Sequence, residues 1–125
     1  MTLSFFFGTV LRGEPSHEVL TNARFLSETS TATKYRLLSV DDSYPALVED
    51  LKGGMAIVGE LYELSEVHWQ AIVRLDPKWM YRAPIELHDG AVAESMLANP
   101  NLAKGVTLTD ISAYGGWRNF NANRE

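Results

Sequence analysis

Apolar residues cluster in short runs separated by turn-forming residues, and most of those runs have the length of strands. Phe5-Phe6-Phe7 lies inside a segment, residues 3–10, that predicts a strand ending at Gly8-Thr9, because aromatic side chains suit a pleated, half-buried surface. Pro15-Ser16 then opens a short helix, with Ser16 as N-cap and Val19, Leu20 and Ala23 on its inner side. Residues 34–40 read as a strand, and the Thr- and Ser-rich stretch before them as a strand or an extended loop. Asp41 to Tyr44 makes a turn into a short strand over Pro45-Ala46-Leu47-Val48, and Gly53-Gly54 makes the next turn. Met55 to Leu64 predicts the clearest strand of the middle region.

Ser65 caps a helix that runs to about Leu75, with Trp69, Ile72 and Val73 at helical spacing. His88-Asp89-Gly90 marks a hairpin between Ile85-Glu86-Leu87 and Ala91-Val92, since Asp-Gly suits positive φ. Leu102–Lys104 and Thr109–Ala113 read as short helical turns, and Asn121–Glu125 as a frayed tail. Strands dominate, and they do not alternate regularly with helices. The expected class is therefore α+β, a curled mixed sheet with short flanking helices, over one domain of residues 1–120 and a tail of 121–125.

Composition narrows the chemistry. The 125 residues carry a formal charge of −5 and no cysteine. Missing cysteines exclude disulfides, a thiolate nucleophile and Cys-based metal sites. The acidic balance argues against a nucleic-acid partner, which demands concentrated Lys and Arg. No apolar run approaches the ~20 residues of a membrane helix. The first residues lack the basic stretch of a signal peptide, so a cytoplasmic protein is expected. His17, His68 and His88 have no metal-ligand spacing, so neither metal nor cofactor is expected. A small molecule is the expected partner, and an exposed strand edge leaves a homodimer open.

Three constellations could carry chemistry. Phe7-Gly8-Thr9-Val10-Leu11-Arg12-Gly13 runs from a strand into a Gly-bearing turn that presents N–H groups to a ligand, although the GxxxxGK[ST] spacing of a phosphate loop is absent. Glu60 alternates with Val58 and Tyr62 along its strand, and it reads either as a carboxylate turned into a pocket, which would act as acid or base, or as one at the solvated rim of a barrel-like sheet. The run Asp110-Ile111-Ser112-Ala113-Tyr114-Gly115-Gly116-Trp117-Arg118 reads either as a cap with an aromatic anchor or as a pocket wall in which Arg118 pairs a carboxylate. Tyr81-Arg82, placed between the second helix and a strand, reads as an anion contact or as plain surface. No G-x-S-x-G elbow supports a Ser–His–Asp triad.

Together these segments resemble the gamma-glutamylcyclotransferase-like superfamily. Phe7-Gly8-Thr9-Val10-Leu11-Arg12-Gly13 is similar to its YGTLRxG signature, Tyr44-Pro45-Ala46-Leu47 to its Tyr-Pro-x-Leu, and Gly59-Glu60-Leu61-Tyr62 to its G-E-[LV]-[YW] strand. Leu75-Asp76 and Tyr81-Arg82 resemble its L-D…Y-x-R segment. Ala23-Arg24-Phe25-Leu26, Thr33-Lys34-Tyr35-Arg36-Leu37 and the Asp110–Arg118 run resemble more closely the C-terminal domain of allophanate hydrolase. The resemblance implies a small mixed β-barrel with a pocket where the Gly-Thr turn meets the barrel mouth. Two departures stand out. Trp79 occupies the position of the cyclotransferase glutamate in L-D-x-x-E-G. Val10 occupies that of the histidine in the G-A-H-L turn of the allophanate hydrolase domain, and His17 replaces the Asn of its G-x-P-x-N run.

Two expectations follow. The first is an enzyme-like domain acting on a small amide, carbamate or amino-acid-like carboxylate. In it Glu60 and His17 are catalytic and face one cavity, and Phe7, Gly8, Thr9, Val10, Leu11, Tyr44, Trp79, Tyr81, Arg82, Tyr114, Trp117 and Arg118 bind substrate. The alternative is a non-catalytic binder or accessory protein that lost the cyclotransferase glutamate and kept the pocket.

Overall fold

The computed structural model describes residues 1–124. Strand β1 (Thr2–Phe6) is central to a five-stranded sheet. It runs antiparallel to β5 (Val58–Leu64), with Phe6 opposite Glu60, and parallel to β7 (Val92–Ala98). β2 (Arg24–Ser30) and β6 (Met80–Glu86) form the edges, in the order β2-β5-β1-β7-β6. A second sheet orders β4 (Tyr44–Glu49), β3 (Tyr35–Val40) and β8 (Leu108–Asp110).

The expected α+β class holds, and the barrel needs correcting. The edges of the large sheet meet at one bridge, Thr31 with Leu87, where Ala32 N–H donates to Glu86 O (3.0 Å) and His88 N–H to Ser30 O (3.1 Å). The other three strands form their own sheet, so among the described residues the sheet curls without closing into a barrel.

Successive side chains of a strand point to opposite faces, and β1 is covered on both. Phe5 and Phe7 enter one apolar cluster with Leu37, Leu47, Ile57 and Ile85. Phe6 enters the other, with Tyr62, Leu64, Trp69, Ile72 and Met96. Helix α1 (Glu66–Leu75) lays Trp69 and Ile72 on that second cluster. Ser65 caps it reciprocally: Ser65 Oγ accepts from His68 N–H, and Ser65 N–H donates to His68 Nδ1 (3.2 Å). His68 Nε2–H reaches Thr21 O at 2.7 Å, so both ring nitrogens are committed to structure. Asp76, in extended backbone, ends the helix, and Pro77 follows.

Several local expectations shift. The first strand stops at Phe6 because the chain leaves the sheet at the turn. The expected helix after Pro15 is one 3₁₀ turn, His17–Leu20. Of the helical turn expected over Thr109–Ala113, Thr109 and Asp110 instead pair with β3, because Leu38 and Ser39 supply ladder partners that local propensity does not see, and a 3₁₀ turn follows at Ser112–Tyr114. Tyr81 and Arg82 lie inside β6, not before it. The expected tail is largely helical: α2 (Trp117–Asn123) buries Trp117 and Phe120, and Arg124 donates to Asp42 O (2.6 Å). Glu125 lies outside the described residues. No described helix is long and apolar enough to cross a membrane.

Candidate functional site

The end of β1 delivers Gly8 against Pro45 of β4, where an added Cβ would sit 2.5 Å from Pro45 Cγ, so only glycine fits. Beyond it the chain bonds one side of its own backbone. Gly8 O accepts from Leu11 N–H (3.1 Å), Thr9 O from Ser16 N–H (2.8 Å) and Val10 O from His17 Nδ1–H (2.9 Å). All three carbonyls are thus occupied, while the N–H groups of Gly8, Thr9 and Val10 have no acceptor among the described residues. A run of unpaired N–H groups is a site for an anion or a developing oxyanion.

These residues wall a cavity of about 590 Å³. It is also lined by the start of β4 (Tyr44, Pro45), the end of α1 (Ile72, Leu75, Asp76), Met80, Met96, Phe6 and Phe7. Asp76 is the one carboxylate in this lining, which holds no Lys, Arg or His. It is half-buried, and burial, with no bond or counter-charge among the described residues to offset it, pushes its carboxyl up to about 6. Burial also raises the Tyr44 phenol, and the neighbouring Asp76 and Asp41 charges raise it further.

Glu60 sits elsewhere. It is 0% exposed, and four donors fill its oxygens. Oε1 accepts from Arg12 N–H (3.0 Å) and Tyr62 Oη–H (2.8 Å), and Oε2 from Arg12 Nε–H (3.0 Å) and an Arg118 guanidinium N–H (3.2 Å). Burial works to raise this carboxyl, but those bonds outweigh it and hold it below the ordinary range. Arg118 also donates to Arg12 O, so the cluster grips the peptide just past the turn from both sides. The sequence expectation that Glu60 and His17 share a cavity with the turn amides is not met. Glu60 lines neither cavity described here, its lone pairs being spent on Arg12, Tyr62 and Arg118, and His17 braces the turn through Val10 O.

The expected binding residues divide likewise. Phe7, Gly8, Thr9, Val10 and Tyr44 line the large cavity. Leu11, Tyr114, Trp117 and Arg118 line a second one of about 240 Å³. Trp79, Tyr81 and Arg82 line neither. Trp79 packs against the second core cluster, Tyr81 is half-exposed, and Arg82 is held by Glu66 and Glu94 over the Trp69 ring. Sequence reasoning passed over Asp76. Its available signal is an acidic residue closing an amphipathic helix directly before proline, inside the Leu75-Asp76 run.

Comparison with known proteins bears on the family and the fold. The family model of the allophanate hydrolase C-terminal domain matches residues 2–122. A Drosophila melanogaster protein named "Putative gamma-glutamylcyclotransferase" is 42% identical over 69 residues, which cover 50% of this chain and 43% of that protein. The match thus spans less than half the length of that relative. Among solved structures, a protein specific to uropathogenic E. coli superposes with a TM-score of 0.88 at 26% identity, over 99% of this chain and 98% of that one. The allophanate hydrolase of Kluyveromyces lactis superposes with a TM-score of 0.85 at 23% identity, over 97% of this chain and 21% of that one, a likeness of fold.

Proposed function

Because this chain belongs to the allophanate hydrolase C-terminal domain family, we propose that the cavity under the Gly8–Val10 turn takes a small amide, carbamate or amino-acid-like carboxylate, with Asp76 as its acid–base group. One observation carries the reading: one cavity is lined both by Asp76, whose carboxyl has no hydrogen-bond partner among the described residues, and by Gly8, Thr9 and Val10, whose N–H groups have none either. The N–H groups suit the substrate carboxylate or the oxyanion that forms when its carbonyl is attacked. A carboxyl titrating near neutrality holds a proton in part of its population and gives it up in the rest, as a general acid–base group must. Glu60 and His17 support this as braces of the turn.

A screen of gamma-glutamyl amines, allophanate and biuret-type amides for turnover tests the proposal. Wild type should turn over one class, and Asp76→Asn should slow it by about 10²–10⁴-fold with the fold intact. Turnover unaffected by Asp76→Asn would remove Asp76 from the chemistry.

A non-catalytic binder is the second reading, favoured by Trp79 at the position of the cyclotransferase glutamate. It predicts that ligands bind in the cavity with no turnover in either protein.

A further inference from the structure

We infer that the second cavity, of about 240 Å³, is a binding site of its own, for a monocarboxylate with an apolar body. Its lining shares no residue with that of the cavity under the Gly8–Val10 turn. Leu11, Val58, Tyr114 and Trp117 give it apolar surface. Val58 and Tyr114 are 51% and 40% exposed, so a ligand that covers them gains by removing that surface from water. The wall is fixed, because Val58 N–H donates to Gly115 O (2.8 Å). Charge sets the other end of the ligand. Arg12 and Arg118 share one carboxylate, that of Glu60, which leaves one positive charge over. The Arg12 guanidinium lies over the Phe25 ring, 3.7 Å from its centre, and Arg118 is the cation in the lining. Arg118 gives one N–H to Glu60 and one to Arg12 O, so three of its five N–H groups have no acceptor among the described residues. A carboxylate takes such groups in charge-assisted hydrogen bonds, and a guanidinium already held by two partners loses little freedom in receiving it. Glu28 is the one anion in the lining. It is exposed, so water screens its repulsion of a first carboxylate, while a second one, without a cation of its own, is disfavoured.

Amide ¹H–¹⁵N titrations of the intact chain with 3-phenylpropionate and with 3-phenylpropan-1-ol, the same body without the charge, test this. 3-Phenylpropionate should shift the Gly115 and Gly116 amides and leave those of Gly8 and Thr9 in place. The alcohol should bind about tenfold or more weaker, the worth of a charge-assisted hydrogen bond. Arg118→Gln should lose the same factor for the acid. Glu28→Gln, at an exposed side chain, should bind the acid about two- to fivefold tighter. The comparison of acid with alcohol and the Glu28→Gln variant decide the matter even where Arg118→Gln fails to fold. Equal affinity for acid and alcohol, no gain in Glu28→Gln, shifts confined to Gly8, Thr9 and Val10, or no shift at all would each overturn the site.

Discussion

Four donors converge on the Glu60 carboxylate and, among the described residues, none reaches that of Asp76, so two side chains of the same chemistry are shifted in opposite directions. The alternation of β5 makes it legible in the sequence that Glu60 can turn inward. Its partners are not legible, because Arg12 and Arg118 stand 48 and 58 residues away in the chain. Asp76 was harder to see, since what sets it apart is the absence of neighbours that only the folded chain defines. Glu60→Ala would leave the Tyr62 hydroxyl and the Arg12 N–H without their acceptor. At about 1–3 kcal/mol for each orphaned group, urea denaturation should show a loss of about 2–6 kcal/mol, and Glu60→Gln a smaller one. A loss near zero for Glu60→Ala would mean that the cluster does not hold the fold.

At the scale of elements, β1, β5, α1 and the hairpin of β6 and β7 were readable from periodicity and turn residues alone. β8 and α2 were not. Three residues make β8, and its stability comes from ladder bonds to β3. In α2 the apolar signal is two aromatics, Trp117 and Phe120, whose burial depends on a cluster assembled from distant strands. The segment is therefore polar by sequence and anchored by structure. Phe120→Ala should cost about 3–5 kcal/mol, measured by chemical denaturation. A tail that merely frays would lose almost nothing.

For the molecule as a whole, these carboxylates give the stability curve two opposed slopes. The folded-state value for Glu60 is depressed, so its contribution is present above the ordinary carboxylate range and is lost as pH falls through the depressed value. The folded-state value for Asp76 is raised from 3.8 to about 6, so its contribution is present below 3.8 and is lost as pH rises through about 6. Asp76→Asn should therefore be more stable than wild type at pH 7, by about 1–3 kcal/mol, and close to it at pH 4. Urea melts of both proteins at the two pH values check this. A residue that weakens the fold at neutral pH and lines the cavity under the Gly8–Val10 turn is placed for function rather than for stability.

The ionisation of Asp76 is the point on which the account turns. Its side-chain carboxyl carbon can be followed by ¹³C NMR from pH 3 to 9 in the full chain, with Asp76→Asn to assign the signal. A midpoint near 6, moved by a ligand that also shifts the Gly8–Val10 amides, is the result expected for a desolvated carboxyl facing an occupied site. A midpoint near the ordinary aspartate value of about 3.9, unmoved by any ligand, would contradict it.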